Sequence, residues 1–473
     1  MRRLASILFT ISLAISGVAQ ADQDTIARIL AVGKNSNQVW DHLTHLSLKI
    51  GHRLTASTNL DKAYDWTQKK FKEFGCTNVH LEKWGEWPVR FDRGSRQIGR
   101  MVSPEKLAFE FSSPSWTPGT NGSVKGIAVL EPTTIDELNA AKEKLKGAWL
   151  ISKTAPPRRG AELTVVQKGI AESGIAGTVY SSRNELVITS GNYNISWDNL
   201  PKDVRITVRK SNMDKILGLM AENKQVVLEF DMRNKFSKGP IPNYNVVAEI
   251  KGTEKPEEVV IVSGHLDTWD GPGSQGACDN GTGISVTLEA ARILLASKAK
   301  PKRTIRFILW TGEEQGLFGS RAYVEAHKTE LGNISAVFVD DGGTNYQGGL
   351  TCIAEMMPIL EAAIEPAHRA FIGLPMQIRV VDRMPRGGGS DHAPFNAVGV
   401  PGFFWMETGR ADYTFVHHTQ NDRLEHAIPE YLVQSSTNTA LVSYAVACAP
   451  TMLPREKPIT PLPISKLKLI AVW

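Results

Sequence analysis

The sequence predicts an α/β fold, with a mostly parallel central sheet flanked by helices and a β-rich domain inserted into it. Three observations carry that prediction. From residue 242 onward, apolar β-rich runs alternate with helical stretches. Those strand-like runs are continuously apolar rather than alternating, as in a sheet covered on both faces. The chain has 473 residues, which is long for one core, and the stretch from about 114 to 240 has a different texture.

In chain order, residues 22–110 read as helical. DTIARILAVGKNSNQVWDHLTHLSLKIG has apolar residues at helical spacing. NLDKAYDWTQKKFKEFG has an Asn or Asp start signal and a Gly stop. Residues 114–240 are short β-like runs (GIAVLE, GAWLIS, GTVYSS, VRITVR, VVLEFD) separated by two helical stretches, TIDELNAAKEKLKG and LTVVQKGIAESG. That block gathers no His and no paired carboxylates of catalytic type. The run from 241 to 450 then reads NVVAEIKG and EEVVIVSG as strands and GISVTLEAARILLAS as a helix. TIRFILW is a strand, LFGSRAYVEAH a helix, and SAVFVD, MQIRVV and GFFWM are strands. The helix PEYLVQSSTNTALVSYAVAC opens on Pro429, which suits a first helical position. Residues 451–473, rich in Pro and Lys, are expected to wrap as an extended tail. The predicted division is therefore 1–21, 22–113, 114–240, 241–450 and 451–473.

Residues 1–21, MRRLASILFTISLAISGVAQA, have the charged, apolar, small-residue order of a secretory signal. Cleavage after Ala21 and a secreted or periplasmic location are expected, with no membrane span in the remaining chain. The net charge of +5 is spread along the chain, which gives no case for nucleic acid as a partner. Cys76, Cys278, Cys352 and Cys448 are widely spaced, form no CxxC zinc signature, and allow three pairings if all four are bridged.

Sites in such sheets form beyond the carboxyl ends of the strands. After EEVVIVSG come His265, Asp267 and, further on, Asp270 and Asp279. After TIRFILW come Glu313 and Glu314, and after SAVFV come Asp340 and Asp341. MQIRVVD leads to Asp391 and His392, and GFFWM to Glu407 and then His417 and His418. Imidazole and carboxylate ligands at the same end of successive strands suit two divalent ions such as zinc, sharing a bridging carboxylate. Asp267, two residues from His265, is placed to orient that imidazole. One carboxylate must stay off the metal as general base, and Glu313 and Glu314 both qualify by position.

The stretches GHRLTAS, GHLDTWD, GACDNGTG, TGEEQGLFGS, VDDGGT, GGSDHAPF and HHTQND resemble those of the co-catalytic zinc exopeptidases, a family that includes bacterial leucyl aminopeptidases and glutamate carboxypeptidase. They extend from about 51 to 422. The resemblance implies a zinc-exopeptidase fold, with the 114–240 block as an inserted protease-associated domain. It implies two Zn²⁺ ions, with His265, Glu314, Asp341 and His418 as terminal ligands and Asp279 as the bridge. It also implies Glu313 as general base, with Asp267 in support. The implied substrate is a dipeptide or short peptide, favoured with a free C-terminus. Arg383, Arg386 and Arg410 are candidates to clamp its carboxylate, and His392 is a further candidate contact. An aminopeptidase on the same scaffold is the alternative, with Glu407 or Asp270 facing a substrate ammonium. A non-catalytic receptor using the inserted domain is the alternative of another class. Homodimers are common in that family, so a second copy is an implied partner.

Overall fold

The computed structural model describes residues 22–120, 122–154 and 163–456. The expected signal segment, 1–21, and residues 457–473 of the expected tail lie outside the described residues. Residues 451–456 carry no regular structure and lie along the sheet, where Leu453 N–H donates to Ser335 Oγ. Among the described residues, no helix is long and apolar enough to cross a membrane.

The central sheet has six strands, in the spatial order Thr77–Asp92, Lys235–Ile250, Arg303–Trp310, Lys255–His265, Ile334–Val339, Gly402–Phe404. The last four pair in parallel, and the first two join antiparallel. The parallel strands are apolar throughout because both faces are covered. Val260 and Val262 point into one core with Ile305, Phe307 and Phe338, and Val259 and Ile261 into another with Ile308 and Val337. The helices Gly281–Ala296 and Pro429–Cys448 are almost wholly buried against the first of these.

Two sequence expectations need correction. The helical reading of 22–110 ends at Phe74, because Thr77–Asp92 and Gln97–Ser103 are strands. The Thr77–Asp92 strand and its partner Lys235–Ile250 run on past the sheet as a half-exposed ribbon, so charged residues interrupt their apolar pattern. The run MQIRVV does form a strand, Gln377–Val380, but it pairs with Gly349–Cys352 in a separate two-stranded sheet.

The ribbon explains how the inserted part is attached. Its far end pairs Asp92 with Lys235, which brings the chain's exit and re-entry side by side. Between them, residues 97–232 supply an eight-stranded sheet with its own core around Trp149, Ile206, Leu228 and Phe230. This sheet begins at Gln97, before the expected boundary at 114. It carries three helices among the described residues rather than the expected two. The third, Lys210–Ala221, follows Arg209 and has no side-chain cap, so the sequence offers no start signal for it.

The helix Gly281–Ala296 ties core to site. Asn280 caps it by accepting from Gly283 N–H, and its Nδ2 donates to the Asp340 carbonyl. Leu288 on this helix is fully buried. Leu288→Ala should destabilise the protein by about 2–5 kcal/mol, read as a lower denaturant midpoint with an unchanged slope.

Candidate active site

The strand Lys255–His265 ends on the first candidate ligand, and the parallel arrangement brings the loops after neighbouring strands to the same edge. A cavity of about 480 Å³ opens there, lined by His265, Asp279, Glu313, Glu314, Asp341, His417 and His418 among others. His265 Nε2 lies 2.8 Å from Asp341 Oδ1 and 3.3 Å from Asp279 Oδ1. His418 Nε2 lies 2.9 Å from Glu314 Oε2 and 3.3 Å from Asp279 Oδ2. The two oxygens of Asp279 thus face two separate imidazole–carboxylate pairs. Asp341 enters this group; Asp340 turns away and accepts from Gln347 Nε2 at 2.6 Å.

The donor set fits divalent cations. His265 Nδ1 lies 2.9 Å from the Asp267 carbonyl, which can only accept, so Nδ1 carries the proton. Its Nε2 faces the oxygens of Asp341 and Asp279, where either a second proton or a metal cation can meet their charge. Burial first, then the charges of Asp279 and its neighbours, pushes the Glu314 carboxyl well above its ordinary range. Burial, with Asp341, Asp391 and Glu314 nearby, does the same to Glu313. Asp391, likewise buried, is pushed to about 7. So many desolvated carboxylates need compensating positive charge.

Asp267 does not act as its spacing suggested. Its carboxylate lies 3.9 Å from His265 Nδ1, and its own backbone carbonyl makes the imidazole contact instead. The carboxylate accepts from Thr55 Oγ1 at 2.9 Å and from the Glu313 and Glu314 N–H groups at 3.3 and 3.4 Å. It therefore sets the turn that presents the Glu-Glu pair. Glu313 itself makes no side-chain hydrogen bond among the described residues.

Other groups hold the ligand loops, and sequence reasoning gave them no role. Arg53, in GHRLTAS, is fully buried and donates to the carbonyls of Leu266 and Gly276, tying both ends of the loop. Asp422 accepts from Cys278 N–H at 2.6 Å and Asp279 N–H at 3.3 Å, which fixes the central carboxylate. Gly342 leaves room for Glu407, whose Cγ would lie 1.8 Å from a Cβ there, and Gly343 takes φ +95° against the Tyr413 ring. His418 is held at φ +54°. Its carbonyl accepts from Thr189 N–H of the second sheet's loop at 2.8 Å, and Gln420 N–H donates to Val187. His417 stacks on His418 at 3.8 Å between ring centroids and lines the cavity.

Several candidates lie elsewhere. Arg410 pairs with Glu430 at 2.6 Å and sits over the Tyr431 ring, and Arg386 pairs with Glu456 at 3.5 Å. Neither they nor Arg383 line the cavity. His392 is buried against Phe404, and burial lowers it to about 4. Asp270 is neither solvated nor in the cleft. It is buried on Arg93 at 3.0 Å and accepts from Ser115. All four cysteines are free thiols.

Residues 245–443 match the model of Peptidase family M28. Carboxypeptidase Q of Xenopus laevis is 29% identical over 438 residues, covering 89% of this chain and 88% of the relative. The human carboxypeptidase Q is 28% identical over 440 residues, covering 91% and 90%. The chain is a zinc-dependent metallopeptidase. Its fold is that of an M28 peptidase precursor from Shewanella amazonensis (TM-score 0.66, 24% identity, 93% of this chain and 100% of that one). The zinc aminopeptidase BSAP from Bacillus subtilis is similar in fold at a TM-score of 0.52 and 21% identity, over 86% and 93% of the two chains.

The Arg93–Asp270 pair yields a stability test, since both side chains are about 1% exposed. Asp270→Ala strands a buried guanidinium and should cost about 3–5 kcal/mol. The double variant Arg93→Met/Asp270→Leu should recover most of that loss in the same denaturation assay.

Proposed function

We propose that this protein is an exported di-zinc exopeptidase of the M28 type that hydrolyses dipeptides or short peptides, as a carboxypeptidase or dipeptidase. The observation that carries the reading is Asp279, one carboxylate facing two imidazole–carboxylate pairs, with the unbonded Glu313 lining the same cavity. His265 and Asp341 would hold one ion, Glu314 and His418 the other, and Asp279 would serve both. The match to carboxypeptidase Q along nearly the whole chain supports the carboxypeptidase or dipeptidase form. The sheet formed by residues 97–232 is proposed as a protease-associated domain, and the N-terminal signal supports export.

Zinc, when bound, supplies positive charge that polarises the scissile carbonyl and makes water acidic near neutral pH. The chain's own residues do the rest. The Asp267 carbonyl holds His265 with Nε2 turned to the site. The Asp267 carboxylate holds the backbone of Glu313 and Glu314, so that neighbouring carboxylates take different tasks. Glu313 accepts a proton from the attacking water at a carboxylate oxygen and returns it to the nitrogen of the departing amine. The half-buried Trp269 sets its ring edge-on to His418 and its backbone N–H donates to Glu314 Oε1, which steadies both side chains.

Glu313→Gln should lower kcat by about 10²–10⁴ while zinc content stays at the wild-type level. Near-normal turnover would remove Glu313 from the base role. A panel of free dipeptides, N-blocked dipeptides and aminoacyl anilides then tests the end preference. Cleavage of peptides with a free C-terminus is expected; cleavage of the anilides alone would make the enzyme an aminopeptidase.

A further inference from the structure

Arg321 stands apart from the other cations near the site. It is exposed on the helix Phe318–Ala326, and its side chain makes no hydrogen bond or ion pair among the described residues. It lines the same cavity as Glu313, Glu314, Asp341 and the histidines, and among the described residues no other Arg or Lys does so. Its N–H donates to the Leu317 carbonyl, so Leu317 and Arg321 lie one turn apart on one helix face, and Leu317 also lines the cavity. An arginine beside this many carboxylates would ordinarily fold onto one of them, as Arg410 does on Glu430 and Arg386 on Glu456. Arg321 instead leaves its five donors open to the cavity.

A second feature lies on the same cavity. Gly388 and Gly389 line it, both are exposed, and their N–H groups donate to nothing among the described residues. Without side chains, they let a ligand approach the backbone closely. A planar guanidinium and free backbone N–H groups together form the donor set that a carboxylate accepts.

We propose that Arg321, with the N–H groups of Gly388 and Gly389, binds the free α-carboxylate of the substrate's C-terminal residue and so determines that this site acts on free C-termini. The proposal rests on the carboxypeptidase or dipeptidase reading above, and names the residues that give the site its polarity. The scissile bond lies at Glu313. The carboxylate one residue beyond it would be offered to Arg321, which lines the same cavity and is carried by the same loop-and-helix segment. A dipeptide meets the requirement with one peptide bond, and a longer peptide meets it only at its last residue.

The test compares an unblocked dipeptide with its C-terminal amide, in the zinc-loaded full-length enzyme. Four forms are assayed: wild type, Arg321→Met, Arg321→Lys, and Arg410→Ala as a cation outside the cavity. Wild type should prefer the free acid by roughly 10–100-fold in kcat/KM, the range of a charge-assisted bidentate contact. Arg321→Met should erase that preference through KM, with kcat nearly unchanged and the amide cleaved as before. Arg321→Lys should restore part of it, and Arg410→Ala should keep it whole. A wild-type preference that survives in Arg321→Met overturns the clamp while leaving the free-C-terminus reading in place. A wild type indifferent to amidation overturns both. Binding gives a second readout: calorimetry of the free dipeptide on zinc-loaded Glu313→Gln should weaken roughly 10–100-fold when Arg321→Met is added. Equal affinity would also overturn the clamp.

Discussion

Carboxylates taken out of water repel one another and resist ionisation unless positive charge lies among them. At one edge of the central sheet, Asp279, Glu313, Glu314 and Asp341 line one pocket, with Asp391 close enough to act on Glu313. The central place belongs to Asp279, because each of its oxygens faces a different imidazole. Most of the surrounding architecture serves to hold that carboxylate still. Asp422 fixes its backbone, Asn280 caps the helix that follows it, and Arg53 ties the loop that precedes it.

The inserted sheet belongs to the same arrangement. Its loop makes an isolated bridge, Ile188 to Thr419, directly after the ligand candidate His418. The Thr189 N–H bonds the His418 carbonyl, at a residue whose left-handed backbone carries a steric cost. The ribbon Thr77–Asp92 with Lys235–Ile250, the Arg93–Asp270 pair and this bridge form three separate ties between the inserted sheet and the loops of the site. The inserted part therefore braces the loop that carries His418.

Some of this was legible in the sequence, for physical reasons. Strands such as 259–262 are buried on both faces, so they appear as unbroken apolar runs, and the ligand candidates follow them directly. The Thr77–Asp92 strand of the ribbon was not legible, because a half-exposed strand carries Glu82, Lys83 and Glu86 among its aromatics. Asp270 was ambiguous because its partner, Arg93, is 177 residues away in the chain. Asp267 meets His265 through its backbone carbonyl, and spacing alone cannot tell a side-chain oxygen from a backbone one. Arg321, a lone arginine on a helix, looks in the sequence like any solvated one, and only the cavity distinguishes it.

The central claim is that Asp279 is shared by two cations. Zinc bound per chain, measured on dialysed wild-type protein and on Asp279→Ala, tests it most directly. The account predicts two ions per chain in the wild type, and weakened binding at both positions in the variant, since one carboxylate serves both. A wild type that saturates at one zinc, or a variant that keeps two ions at wild-type affinity, would contradict it.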